Sequence, residues 1–265
     1  MIREIKKIFK LLGKPYMKIL PGNIAFSFML AIIPILSVVV FILNILNFSF
    51  PIISNKLSNF IPGPVIEIII TFLSGNSWNN TVFMIVGLIS ASSGMQALII
   101  ASNVIYKCDN KKYIEEKVKS LLLTFLIIFI IIVNLGILVF GDALLRFVIS
   151  LFNLNINILT LFSLLKWPLS FIIIYFILKI IYTLAPDIKI KSDSTSKGAM
   201  VTTILWVFAS AIYSAYVSHA TIYVDFYGSL ANIIILLVWL YIMSIILVLG
   251  TAINVNEYNK TIEEQ

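Results

Sequence analysis

Positions 227–254 read YGSLANIIILLVWLYIMSIILVLGTAIN, without one charged residue. The run exceeds the roughly 20 apolar residues that cross a bilayer as a helix. Gly228, Asn232, Trp239, Met243, Gly250 and Asn254 interrupt its Ile/Leu/Val background in steps of 4, 7, 4, 7 and 4. At about 100° per residue these six stay within an arc of about 80°. Ser229, Tyr241, Ser244 and Thr251 fall outside that arc. A helix bathed in lipid on all sides gains nothing from such a stripe, so this one is expected to face protein or water.

Five further apolar runs precede it and predict helices over 23–47, 81–106, 120–140, 167–185 and 198–218, with the last helix over 228–254. Pro34 lies inside the first run, where it kinks a helix and frees a backbone carbonyl. In the second, Ser90, Gly94, Ala97 and Ala101 step by 4, 3 and 4, close to the small-xxx-small spacing of tightly packed helices. Gln96 and Asn103 there, and Asn134 in the third run, need hydrogen-bond partners. Lys166, Trp167 and Pro168 read as an interface anchor with proline in the first turn of the fourth helix. Lys179 near the end of that helix snorkels to the surface or is a buried functional lysine.

Between the runs, 50–80 carries Pro51, Pro62, Gly63 and Pro64, and its apolar piece is too short to span. It is expected to be interfacial or re-entrant on the outer side, and 153–165 to skim the same surface. Residues 1–22 place Arg3, Lys6, Lys7, Lys10, Lys14 and Lys18 around an Ile/Phe/Leu face. They read as a basic amphipathic helix on the anionic leaflet, or as a basic flank that only fixes topology. Residues 255–265 read as a short, mildly acidic tail.

Charge placement orients the chain. Fifteen of the nineteen basic residues fall in the N-terminus, the second and fourth loops and the C-terminus, against three on the other side. This positive-inside bias predicts an all-α membrane protein with six transmembrane helices in one domain, 23–254, and both termini cytoplasmic. Composition agrees: 60% of residues are hydrophobic, 12% are charged and the mean hydropathy is +1.06. The net charge of +7 marks the inner face, so nucleic-acid binding is not expected. One cysteine, Cys108, and one histidine, His219, argue against a disulfide, a metal centre or another cofactor. The basic start with an apolar run behind it is too long for a signal core and is read as a retained helix.

Several local patterns coincide along positions 10–256. Asn23-Ile-Ala-Phe-Ser-Phe-Met-Leu-Ala-Ile-Ile-Pro34 stands near the start. Tyr182-Thr-Leu-Ala-Pro186 and Lys197-Gly198-Ala199 flank the fourth loop. Tyr227-Gly228-Ser229, Trp239-Leu240-Tyr241 and Gly250 to Asn254 mark the last run. Together these resemble the YihY/BrkB family of bacterial inner-membrane proteins, some labelled ribonuclease BN-like. The resemblance implies a role in the cell envelope and in serum resistance, with transport as the usual assignment. Where relatives carry an acidic residue near the start of the first helix, this chain has Asn23. Where they close on Gly-Ala-Glu-Leu-Asn, it has Gly250-Thr-Ala-Ile-Asn254. A proton-coupling role therefore does not carry over.

Three functions compete. A transporter or lipid-translocating protein would use Asn23, Gln96, Asn103, Asn134, Asn232 and Asn254 along a groove, with Pro34 shaping it. Gly228, Trp239 and Gly250 would form its wall or a packing stripe. Lys6, Lys7, Lys10 and Lys14 would touch lipid headgroups. The partner would be membrane lipid, with a small molecule or a lipid as substrate. The same amides serve equally as interhelical glue, at about 0.6 kcal/mol each. A non-transporting envelope scaffold would use the basic N-terminus and residues 107–119 to hold a partner or anionic lipid. An enzyme is not expected: RNA hydrolysis needs an acid–base pair or a metal cluster, and only His219 with Asp225 comes near one.

Overall fold

The computed structural model describes residues 13–45, 77–108, 112–129, 157–219 and 231–263, and all secondary structure among them is helical. Six α-helices are described: α1 Pro15–Ile45, α2 Ser77–Tyr106, α3 113–129, α4 Asn157–Leu184, α5 Ser196–His219 and α6 Ala231–Glu263. A 3₁₀ turn, Ser192–Thr195, leads into α5. Gly87–Tyr106, Ser192–Tyr213 and Ile233–Ile262 are long and apolar enough to cross a membrane, and Pro168–Leu184 is a shorter apolar helix. Of the expected outer segments, 50–76 and 153–156 lie outside the described residues, as do 130–140 of the third helix with Asn134, and Lys6, Lys7, Lys10 and Gly228.

Several boundaries differ from the sequence reading; α2 starts at Ser77 instead of 81 and α3 at 113 instead of 120. α1 starts at Pro15, not at Asn23, and passes through Pro21 and Gly22. Proline suits the first helical position. An internal proline costs about 3 kcal/mol. Here Met17, Leu20 and Ile24, three and four apart, are buried in the core, and that burial outweighs the break. The stretch 15–22 is thus part of a spanning-length helix instead of a separate surface segment.

α4 starts at Asn157, so 157–165 continues the helix and Pro168 lies in its interior, not in its first turn. At 1.5 Å per residue its 28 residues extend about 42 Å, beyond the roughly 30 Å hydrocarbon layer. α6 runs to Glu263, nine residues past the expected end. Val255 is buried, and the Tyr258 ring meets Tyr106 edge-on at 5.7 Å between centroids. Helical continuation is what brings both side chains onto the bundle.

α6 is the central helix: it packs on α1, α2, α5 and the 3₁₀ turn. α1 lies along α2, and α4 along α5. Gly94 permits the α1–α2 contact, since a Cβ there would stand 2.6 Å from the Phe28 ring. The α2 C-terminus is closed by a Schellman arrangement. Lys107 takes φ 57°, and the Cys108 amide donates to the Asn103 carbonyl at 3.0 Å.

Candidate functional site

Polar groups gather where α2, α4, α5 and α6 end on the side of the basic loops. Asn103 is fully buried on the last turn of α2. Its Nδ2 donates to Asp187 Oδ2 at 2.7 Å, and its Oδ1 accepts from the Asp187 amide at 2.8 Å. Lys119, from α3, donates to Asp187 Oδ1 at 2.6 Å and to the carbonyls of Ala185 and Pro186. The ammonium therefore caps the C-terminus of α4, where carbonyls lack partners and the helix dipole favours a cation. Cys108 Sγ lies 3.3 Å from Asn103 Oδ1, and burial pushes its thiol pKa above the ordinary value.

One layer away, Tyr182 is fully buried. Its Oη donates to the Leu247 carbonyl at 3.0 Å and shares a 2.8 Å bond with Thr202 Oγ1. Gly250 lies against this pair: a Cβ there would collide with Thr202 Oγ1 and Tyr182 Oη. A turn further on, Asn254 Oδ1 accepts from the Gly198 amide at 2.9 Å. Lys197 pairs with Glu257 at 2.7 Å, and Lys260 with the same carboxylate at 2.9 Å.

The stripe on α6 thus divides. Gly250 and Asn254 form a seam against α5 and Tyr182. Trp239 and Met243 instead line a cavity of about 490 Å³ with Phe28, Ile174, Trp206 and Ser210. A second cavity of about 350 Å³ shares Phe28, Ile174, Trp206 and Leu240, and adds Ala91 and Thr124 among others. Both fall in the range of ligand pockets. Their few polar groups are already used. Trp206 Nε1 donates to the Met243 carbonyl at 3.0 Å, and Trp239 Nε1 to Ser210 Oγ at 3.3 Å. Ser210 Oγ lies 3.9 Å from Met243 Sδ, and Thr124 Oγ1 donates to the Ser120 carbonyl at 2.7 Å. What remains is hydrocarbon, which suits an apolar guest and rejects an ion.

The other named residues are dispersed. Asn23 is exposed on α1, and Lys14 stands 5.6 Å from the Tyr16 ring. Pro34 lies within α1 and Asn232 within α6. Gln96 is joined to Glu116 at 2.8 Å. Glu116 and Lys117 stand on α3 and not in a loop, which corrects the expectation for 107–119. Glu116 is only 5% exposed. Its signal was readable: Glu116, Ser120, Leu123, Thr124 and Ile128 share one helical face and are all buried. Thr202 and Asp187 went unmarked, and Tyr182 was noted only through the family pattern, because their partners stand 20 to 84 positions away.

Comparison with known proteins follows the same lines. A family model described as "Virulence factor BrkB" matches residues 17–265. YfkH of Bacillus subtilis (strain 168), a protein named for likeness to a ribonuclease, is 28% identical over 88% of this chain and 87% of its own length. A UPF0761 membrane protein of Actinobacillus pleuropneumoniae is 26% identical over 90% of this chain and 88% of its own. One from Pseudoalteromonas translucida is 27% identical over 86% and 77%. No solved structure matches. The long apolar helices and these relatives make the chain an integral membrane protein of the bacterial inner membrane. With the BrkB match covering nearly all of its length, the chain belongs to the BrkB family.

Proposed function

We propose that the protein binds and translocates lipid in the inner membrane, through six spans with both termini in the cytoplasm. The observation that carries this reading is the pair of apolar cavities between α1, α2, α3, α4, α5 and α6, whose polar groups are internally satisfied. An acyl chain fits such a lining; a hydrated solute would lose its hydrogen bonds there. The role is non-enzymatic, with membrane lipid and not nucleic acid as partner. With a single histidine and a single cysteine, the chain offers few groups for hydrolytic chemistry. In the test, the full chain is reconstituted in vesicles holding a headgroup-labelled phospholipid, and outer-leaflet label is bleached with a membrane-impermeant reductant. The expected result is loss of more than half the label. Loss stopping at half, as in protein-free vesicles, sinks translocation.

A scaffold reading is favoured by one separate observation. Asn103 and Asn254 are locked to Asp187 and Gly198 at one end of the bundle, beside exposed Lys112, Lys189, Lys191 and Lys197. A locked end with exposed cations fits a docking face for an acidic partner. Neutralising those four lysines should then abolish in-cell crosslinking to a defined partner; unchanged crosslinks remove this reading.

A further inference from the structure

Gln96 stands ten residues before the C-terminal end of α2, Tyr106. It lies about 15 Å along the helix from Tyr106. Ionic groups at that depth are costly and mark function more often than chance. Two meet there. The Gln96 amide donates through Nε2 to Glu116 Oε1 at 2.8 Å, which turns its carbonyl oxygen the other way. Lys117 Nζ then donates to the Gln96 carbonyl oxygen, Oε1, at 3.5 Å and to the Ile89 carbonyl at 3.2 Å.

The buried carboxylate therefore sets the amide, and the amide helps hold the ammonium. An ammonium has three donors, and two are used in these bonds. The site also has an open side. Ile89 is 47% exposed, Ser90 is exposed, and Ser93 and Gln96 are half-buried. On a helical wheel Ile89, Ser93 and Gln96 fall within about 60°, with Ser90 flanking them. Ala91, Met95 and Leu98, which line the apolar cavity, lie on the opposite face of α2. The α2 helix thus separates a hydrocarbon compartment from a hydroxyl-rich edge carrying a cation.

We propose that Lys117, held by Gln96 and Ile89 beside Ser90 and Ser93, is a binding site for the phosphate of a phospholipid headgroup within the bilayer. The phosphate oxygen accepts from the remaining ammonium donor, and the serine hydroxyls complete its shell. Glu116 is a positioning residue that acts through Gln96. The proposal names the headgroup contact for the lipid reading above, and it does not require the cavity.

The test uses the full chain in detergent micelles, with phosphatidylglycerol, diacylglycerol and inorganic phosphate as separate probes. Binding is read by native mass spectrometry and by displacement of radiolabelled phosphate. Phosphatidylglycerol is expected to bind saturably, and diacylglycerol, which lacks the phosphate, about ten-fold more weakly. Lys117→Met should lose that preference, Lys117→Arg should restore it, and Glu116→Gln should weaken it without abolishing it. Lys260→Gln, whose ammonium pairs with Glu257 near the end of α6, is the control and should bind normally. Thermal unfolding of each variant checks the fold.

Equal lipid preference in wild type and Lys117→Met overturns the site. So does failure of Lys117→Arg to restore a preference lost in a folded Lys117→Met, since that loss would reflect packing. Saturable inorganic phosphate with no lipid preference overturns the lipid as source. If lipid binding follows Lys117 while vesicles show no translocation, the site stands and the translocation reading fails.

Discussion

The Gly198 amide donates to Asn254 Oδ1 at 2.9 Å, joining the first turn of α5 to α6 across 56 positions. The first-turn amides of a helix lack carbonyl partners within it, so a side chain from another helix acts as the cap. Both residues are buried, and a Cβ at Gly198 would collide with Asn254 Oδ1 and the Gly250 carbonyl. Asn254→Ala should cost about 1–3 kcal/mol by leaving that amide unpaired. Gly198→Ala should cost at least as much through overpacking. Thermal unfolding in detergent, followed by tryptophan fluorescence, checks both; an unchanged midpoint in either variant removes this seam as a determinant.

Tyr182 and Gly250 are coupled sterically. Tyr182→Phe removes two hydrogen bonds, to Thr202 and to the Leu247 carbonyl, for a loss of about 1–3 kcal/mol. Gly250→Ala should cost more, because the methyl meets Tyr182 Oη and Thr202 Oγ1. In the double variant the phenol oxygen is gone, so the two losses should sum to less than their separate values. Strict additivity in the unfolding series would contradict the contact.

Asp187 joins α2, α3 and the end of α4 through Asn103 and Lys119. Its side chain is only 2% exposed, and that of Lys119 is 22% exposed. Asp187→Ala strips both partners and should cost about 3 kcal/mol. Asp187→Asn keeps an acceptor and should cost less. Protease resistance of the folded chain in micelles should rank wild type above Asn above Ala.

Cys108 reports on the same junction. Burial, the largest influence, disfavours the thiolate, and the folded thiol therefore keeps its proton to higher pH than the unfolded one. Stability from this difference is fully present below the unfolded thiol pKa and is lost as pH rises from there through the higher folded pKa. Alkylation by a neutral reagent should accelerate with pH along a curve displaced upward from that of a free thiol. A curve that overlays free cysteine would exclude the buried setting.

Filling the cavity tests its use. Ala91 is 1% exposed and lines the smaller cavity. Ala91→Phe should leave the unfolding midpoint within a few degrees, because the ring enters existing space. Lipid turnover in vesicles should fall several-fold. Unaltered turnover would detach the cavity from function.

The helical membrane character of the chain, and roughly where its described apolar helices run, were legible because apolar runs must be long to cross hydrocarbon and charges must stay out of it. Helix ends were less so. The sequence pattern begins α1 at Asn23, after Pro21 and Gly22, and ends α6 at Asn254, and local signals do favour boundaries there. Burial of Met17 and Val255 against other helices overrode them. The polar residues show the same division. Gln96, Asn103 and Asn254 could be picked as needing partners, since leaving an amide unpaired among Ile and Leu is costly. Which partner each found depended on pairings across 20, 84 and 56 positions, and no local spacing encodes those.

By itself the sequence determined an integral helical membrane protein of BrkB type with a marked last helix, because hydropathy and charge act residue by residue along the chain. Only the tertiary structure decided that the marked face splits into a seam at Gly250 and Asn254 and a cavity wall at Trp239 and Met243. It also decided that Glu116 and Lys117 reach the middle of α2. A stripe on one helix fixes a direction around its axis; what lies in that direction at each depth is set by how the neighbouring helices pack.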